Sequence, residues 1–178
     1  MPVEVGLVDR LRADDGWIPA LSLVAVADCE TAADFETAAD FETAAESGTA
    51  AESGMVDGGG TAGAGAVVGH VVCSRGRVGA VPALGLGPLS VHPDHQRRGV
   101  GKALMHAVLG AADALNEPMV VLLGDPAYYS RFGFRLAAEH GIEPPVADWA
   151  PYFQVRTLTA YDPEIRGTFA YAEPFNDL

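Results

Sequence analysis

Positive charge is scarce in this chain of 178 residues: 11 Lys and Arg stand against 24 Asp and Glu, a net charge of -13. So acidic a chain is poorly suited to nonspecific binding of DNA, RNA or anionic membrane, although a local basic patch can still serve a small anion. Cysteine is scarcer. Cys29 and Cys73 match no metal-ligand spacing, and a free thiol is the expectation for each. His92 and His95 flank Asp94, yet no compact third ligand accompanies them, so no metal is expected. No apolar run reaches the roughly 18 residues that span a bilayer. The opening MPVEVGLVDRLRADDG lacks the basic leader and apolar stretch of a signal peptide. These absences leave a soluble cytoplasmic protein, with no membrane or nucleic-acid partner, as the expectation. What is present suits one globular domain with an appendage, since 49% of residues are apolar.

The acidity is concentrated. Residues 28–66 hold nine acids and no Lys or Arg, and the remaining 15 acids face 11 basic residues, a net of -4. Within that stretch, residues 30–46 read ETAADFETAADFETAAE, a six-residue repeat, and GGGTAGAG follows at 58–65. A period of six suits neither helix nor strand, and Phe35 and Phe41 are too few to build a core. Residues 28–65 therefore read as a flexible acidic insertion at a loop tip, where added length costs only logarithmically.

Either side of the insertion the pattern is that of an ordered domain. Residues 6–13 read as a short helix, and 21–27 and 66–75 as strands. Residues 77–85 read as a turn and a short extended piece, and 86–92 as a strand. Residues 99–115 form the clearest helix, with Val100, Ala103, Leu104, Ala107, Val108, Ala111, Ala114 and Leu115 on one stripe. The all-apolar 119–123 reads as a strand covered on both faces. Residues 126–132 can start a helix capped by Asp125, with Pro126 at its first position and Gly133 at its end. Residues 152–159 read as a further strand. The order predicts an α/β layer domain with a mixed central sheet flanked by helices.

The informative stretch is LSVHPDHQRRGVGKAL, residues 89–104, a strand passing through a glycine turn into the long helix. The first turn of a helix has N–H groups with no intrahelical partner, and an anion there receives those donors and the helix dipole. Gly99 and Gly101 remove side chains from the approach, and Arg97 and Arg98 add positive charge. Lys102 opposes the dipole, a conflict that a bound polyanion relieves. The dinucleotide fingerprint and the Walker A ending are both absent.

Gln96-x-x-Gly99-x-Gly101 after LSVHPDH, followed by MVVLLGDPAYYSRFGF at 119–134, resembles the GCN5-related N-acetyltransferase superfamily, and within it the subgroup typified by YhbS. The likeness runs from about residue 66 to about 175 in the expected order. It implies the acyl-coenzyme A N-acyltransferase fold and acetyl-coenzyme A as acyl donor. Gln96, Arg97, Arg98, Gly99, Val100, Gly101 and Lys102 would form the diphosphate loop, with backbone amides taking the oxygens. Edge groups at Leu89 and Val91 would pair with the pantetheine arm, which enters between two splayed strands at 86–92 and 119–123. Tyr129 falls on the tyrosine that often protonates the departing thiolate, with Tyr128 its competitor.

The implied reaction is direct acetyl transfer to a primary amine of a small molecule or a peptide. Residues 78–91 hold no acid, so His92, and behind it His70, are the titratable candidates for general base. The alternative is a non-catalytic acyl-coenzyme A-binding or interaction domain, motivated by the few residues before the strand at 21–27, where the superfamily has a strand and one or two helices. Completion by a partner, as in a homodimer, is a further expectation.

Overall fold

A computed structural model describes residues 3–27 and 65–177 of the chain. The expected acidic insertion, with Cys29 inside it, lies outside the described residues apart from Gly65.

Helix α1 (Val3–Ala13) buries Leu7 and Leu11 on one face. Strand β1 (Trp17–Ala27) then pairs antiparallel with β2 (Ala66–Val78). β1 starts four residues earlier than its Val-rich core suggests. Pro19 is tolerated inside it because the register with β2 is irregular between Trp17 and Ser22, so no ladder bond is required there. β2 turns through Gly79 and Ala80 into β3 (Val81–Val91). Here the sequence expectation is corrected: residues 81–91 are one strand, not a short piece and a second strand. Pairing of Arg77, Gly76, Arg75 and Ser74 with residues 82–85 holds the glycine-containing half in the sheet.

Helix α2 (Val100–Ala114) follows, then β4 (Met119–Leu123), α3 (Pro126–Tyr129) continued by a 3-10 turn over 130–132, and the two-residue strands β5 (Arg135–Leu136) and β6 (Ile142–Glu143). Strands β7 (Phe153–Thr157) and β8 (Gly167–Ala170) complete the sheet. Its order is β5-β7-β4-β3-β2-β8-β6, with β1 sharing an edge of β2 with β8. β3 and β4 are parallel; β4 and β7 are antiparallel. The sheet is therefore mixed and helix-flanked, as expected.

Both sheet faces are covered. Leu104, Met105, Val108 and Leu109 of α2 pack on Val71, Cys73, Leu84, Val120 and Leu122. Met119, Val121, Phe153, Val155 and Phe169 form a second cluster, and α1 closes over Val72 and Ala172 in a third. β4 alternates between the first two clusters, which is why its sequence is apolar throughout. The α2 stripe is rotated from the expected one. Ala103 and Ala107 are exposed and Leu115 is 46% exposed, while Met105, Leu109 and Ala112 are buried. Large side chains decide the helix phase because each contributes about 1.5–3 kcal/mol on full burial, far more than an Ala methyl. Past the helix, Asn116 (φ 57°) makes the left-handed exit. Glu117 then accepts both guanidinium bonds of Arg75, at 2.5 and 2.6 Å, fastening the end of α2 to β2.

Candidate active site

β3 and β4 pair only at Leu84–Val120 and Gly85–Val121. Beyond those pairs each strand continues without the other. The register explains where they part. Val71 faces Leu89 and Cys73 faces Leu86, so β3 carries one residue more than β2 between those pairs. That is a β-bulge at Gly87–Pro88, and a bulge bends its strand and ends regular pairing. The expected splay between 86–92 and 119–123 is thus present.

Edge groups beyond the bulge can be assigned. The His92 N–H donates to Val68 O on β2 at 2.8 Å. Ladder groups alternate between the two edges of a strand, so the N–H groups of Leu89 and Val91 point away from β2, to the open side facing β4. Val91 O on that side accepts from Gln96 Nε2 at 3.1 Å. Gln96 therefore ties the turn to the strand edge, and the N–H groups of Leu89 and Val91 stay available.

The turn itself has a left-handed residue at Arg97 (φ 60°), unsignalled in the sequence, and another at Gly99 (φ 89°), the N-cap of α2. The first helical bond of α2 runs from Ala103 N–H to Gly99 O at 2.9 Å, so the N–H groups of Val100, Gly101 and Lys102 precede the ladder. No side chain caps them. The contrast with α3 is direct: that four-residue helix is capped by Asp125, whose Oδ1 accepts from Ala127 N at 2.9 Å. Arg97, Arg98 and Lys102 are exposed around this uncapped end, and none forms an ion pair among the described residues.

The two glycines serve different purposes. A Cβ at Gly99 would meet nothing within 4 Å, so backbone conformation alone calls for glycine. A Cβ at Gly101 would lie 3.0 Å from the Tyr128 hydroxyl and 3.5 Å from Val91 Cγ2. Tyr128 thus reaches the first turn of α2, with Arg131 stacked on its ring at 4.8 Å. Tyr129 goes elsewhere. Its ring covers Gly124, just past β4, so closely that a Cβ there would overlap it, and it meets Phe134 at 5.9 Å. Burial, and secondarily the neighbouring Tyr128, raises the Tyr129 pKa, which keeps the phenol protonated at neutral pH. Phe132 and Phe134 are core, as expected.

His92 caps the 3-10 turn at 93–95. Its Nδ1 lies 3.4 Å from the Asp94 N–H and 3.8 Å from Asp94 Oδ2. His70 Nδ1 lies 3.1 Å from Ser90 Oγ, across the β2–β3 pair. Leu89 belongs to the cluster under α2, so the adjacent Ser90 and its partner His70 are on the opposite face of the sheet. Asp125 is committed to its cap. No group of three or more metal-ligating side chains occurs among the described residues.

Comparison with known proteins fits this geometry. Residues 53–136 match the family model described as an acetyltransferase (GNAT) domain. The Escherichia coli K12 protein YhbS, described as an uncharacterized N-acetyltransferase, is 35% identical over 116 residues, 63% of this chain and 69% of that protein. The chain belongs to the GNAT family. The GNAT structure of Escherichia coli YhbS in complex with CoA aligns over 98% of this chain and 78% of its own, with TM-score 0.72 and 30% identity. A GNAT acetyltransferase of Brucella melitensis in complex with acetyl-CoA aligns over 62% of each chain, with TM-score 0.50 and 33% identity. The residues here fit a ligand of that kind: a diphosphate suits the uncapped α2 terminus, and an amide-bearing arm suits the strand edge that the bulge opens.

Proposed function

We propose that this GNAT protein transfers the acetyl group of acetyl-CoA directly to a primary amine of a small molecule or peptide. The observation that carries the proposal is the parting of β3 from β4 beside the uncapped start of α2. It leaves edge N–H donors and helix N–H donors along one continuous path.

In the proposed mechanism the N–H groups of residues 97–102 hold the diphosphate, and Arg97, Arg98 and Lys102 supply charge around it. The edge of β3 aligns the pantetheine amides. The amine nitrogen attacks the thioester carbon, forming the C–N bond as the C–S bond breaks. A β3 N–H, that of Leu89, polarises the carbonyl oxygen. Tyr129 gives its proton to the leaving sulfur, and its raised pKa supports this role by keeping the proton in place until the thiolate forms. For the amine proton we propose His92, directly or through a water relay. The Asp94 N–H donates to Nδ1 at 3.4 Å, so taking the proton at that nitrogen requires this long bond to open.

Calorimetry with acetyl-CoA, paired with a thiol-release assay over a panel of amines, tests the reading. Binding with amine-stimulated thiol release is expected. Binding without turnover would support the acyl-CoA-binding alternative, and absence of binding would sink both.

No helix among the described residues is long and apolar enough to cross a membrane. We propose the cytoplasm as the compartment, supported by the unpaired Cys73. We also propose a homodimer, supported by the β1 edge, where Val24 and Val26 are more than half exposed; light scattering decides that point.

A further inference from the structure

A cavity of about 440 Å³ opens between the 130–135 segment and β7, with Arg135, Arg156, His140, Ser130 and Thr157 in its wall. That volume falls within the range of small-molecule sites. None of its lining residues is acidic and none comes from the 85–102 stretch proposed to hold the coenzyme; Phe134 in its wall meets Tyr129. In a chain with a net charge of -13, an acid-free pocket lined by two arginines stands apart.

Arg156 is the central group. β7 places it opposite Val120, and its guanidinium lies so close over Gly133 that a Cβ there would overlap Nη1. Its Nε is buried and has no hydrogen-bond acceptor among the described residues. Nor does Arg156 or Arg135 form an ion pair there. A guanidinium keeps its charge at any ordinary pH, and a buried N–H without an acceptor is costly, so an oxyanion supplied from solution would satisfy both. Arg135 lines the same cavity from β5; its pairing with Val155 places it on the sheet face opposite Arg156, so it approaches around the strand edge, and Ser130 and Thr157 put hydroxyl-bearing residues in the wall.

We propose that this cavity binds a small molecule carrying a carboxylate or phosphate group, gripped by the planar fork of Arg156 with Arg135 in support. The full-length protein, ¹⁵N-labelled and saturated with CoA to occupy the other anion site, is titrated with sodium phosphate and separately with sodium succinate. The Arg156 Nε–Hε resonance is followed. A saturable shift with a Kd at or below about 1 mM is expected in at least one arm, and the arm that saturates identifies the anion class. Arg156→Lys keeps the charge but loses the fork, and should weaken binding at least about tenfold. Arg135→Gln, at an exposed position, should weaken it about threefold and serves if the first variant fails to fold. Shifts that stay linear to about 50 mM in both arms would overturn the proposal. So would binding unaffected by loss of either arginine in a folded variant.

Discussion

Gly99 and Gly101 sit two residues apart in one turn, yet replacing them should have opposite effects on stability. At Gly99 the backbone is left-handed, φ 89° and ψ -2°, with space for a side chain. Gly99→Ala therefore adds no clash but forces an L residue into that region, at about 1–2 kcal/mol. For a chain of this size about 2–4 °C of Tm is lost per kcal/mol, which gives a fall of about 2–8 °C. Gly99→Asn should recover about half, because Asn enters the left-handed region more readily. At Gly101 the backbone is helical, and Ala gains up to about 1 kcal/mol of helix propensity. Against this, the new methyl stands 3.0 Å from the end of the Tyr128 side chain, which must yield by a few tenths of an ångström. Gly101→Ala should be neutral to slightly stabilising. Thermal unfolding by circular dichroism reads both. Acetyl-CoA calorimetry should show about tenfold weaker binding for Gly99→Ala, whose turn no longer aims the N–H groups, and a smaller loss for Gly101→Ala. Equal Tm losses for the two Ala variants, or a Gly99→Ala protein as stable as its parent, would refute this division of roles.

Tyr129→Phe should keep acetyl-CoA affinity and lose about a hundredfold in kcat, the low end for general acid–base catalysis; an unchanged kcat removes the residue from the mechanism. Alkaline pH should destabilise the fold. Burial, with a contribution from Glu117, raises the Cys73 pKa, so its contribution is fully present below the unfolded value of about 8.5. Above that value the unfolded state releases a proton that the native state keeps, and stability falls by about 1.4 kcal/mol per pH unit. Urea midpoints between pH 8 and 10 should show this slope, and Cys73→Ala should lack it. Arg75→Met leaves Glu117 with little solvent and no partner, at about 2–3 kcal/mol, while adding Glu117→Leu should restore most of the loss in urea unfolding. Deleting residues 30–57 should leave acetyl-CoA affinity unchanged by calorimetry; a large loss would show that the acidic repeat packs on the domain.

Legibility in the sequence followed the range of the interactions. The cap of α3 by Asp125 was readable because donor and acceptor are two residues apart. The start of α2 was readable because Gly99 and the amphipathic run are adjacent. The phase of α2 is not legible in the sequence: Ala103 and Ala107 fit either environment, and only the sheet beneath decides that Met105 and Leu109 face it. The sequence alone divides β3 after Gly85, since Pro82 and Gly85 are weak strand formers. Cross-strand pairing with β2 overrides that local preference and converts the surplus residue into a bulge. The Arg135–Arg156 cavity had no signal at all, since a two-residue strand pairing with β7 is what joins its walls.

The same difference in range separates the donor side of the proposed reaction from the acceptor side. The proposed donor path draws mainly on residues 85–102, and most of its ligands would be backbone groups. Its recognition value lies in glycines, a bulge and an uncapped helix, which are local in the sequence. An amine acceptor has to be recognised by side chains brought from distant segments, as Arg135 and Arg156 are brought together here. Two GNAT proteins can therefore share the turn at 96–101 and accept different amines. Substitutions at that turn should change turnover with every amine in proportion, and a change in preference between amines must come from residues outside it.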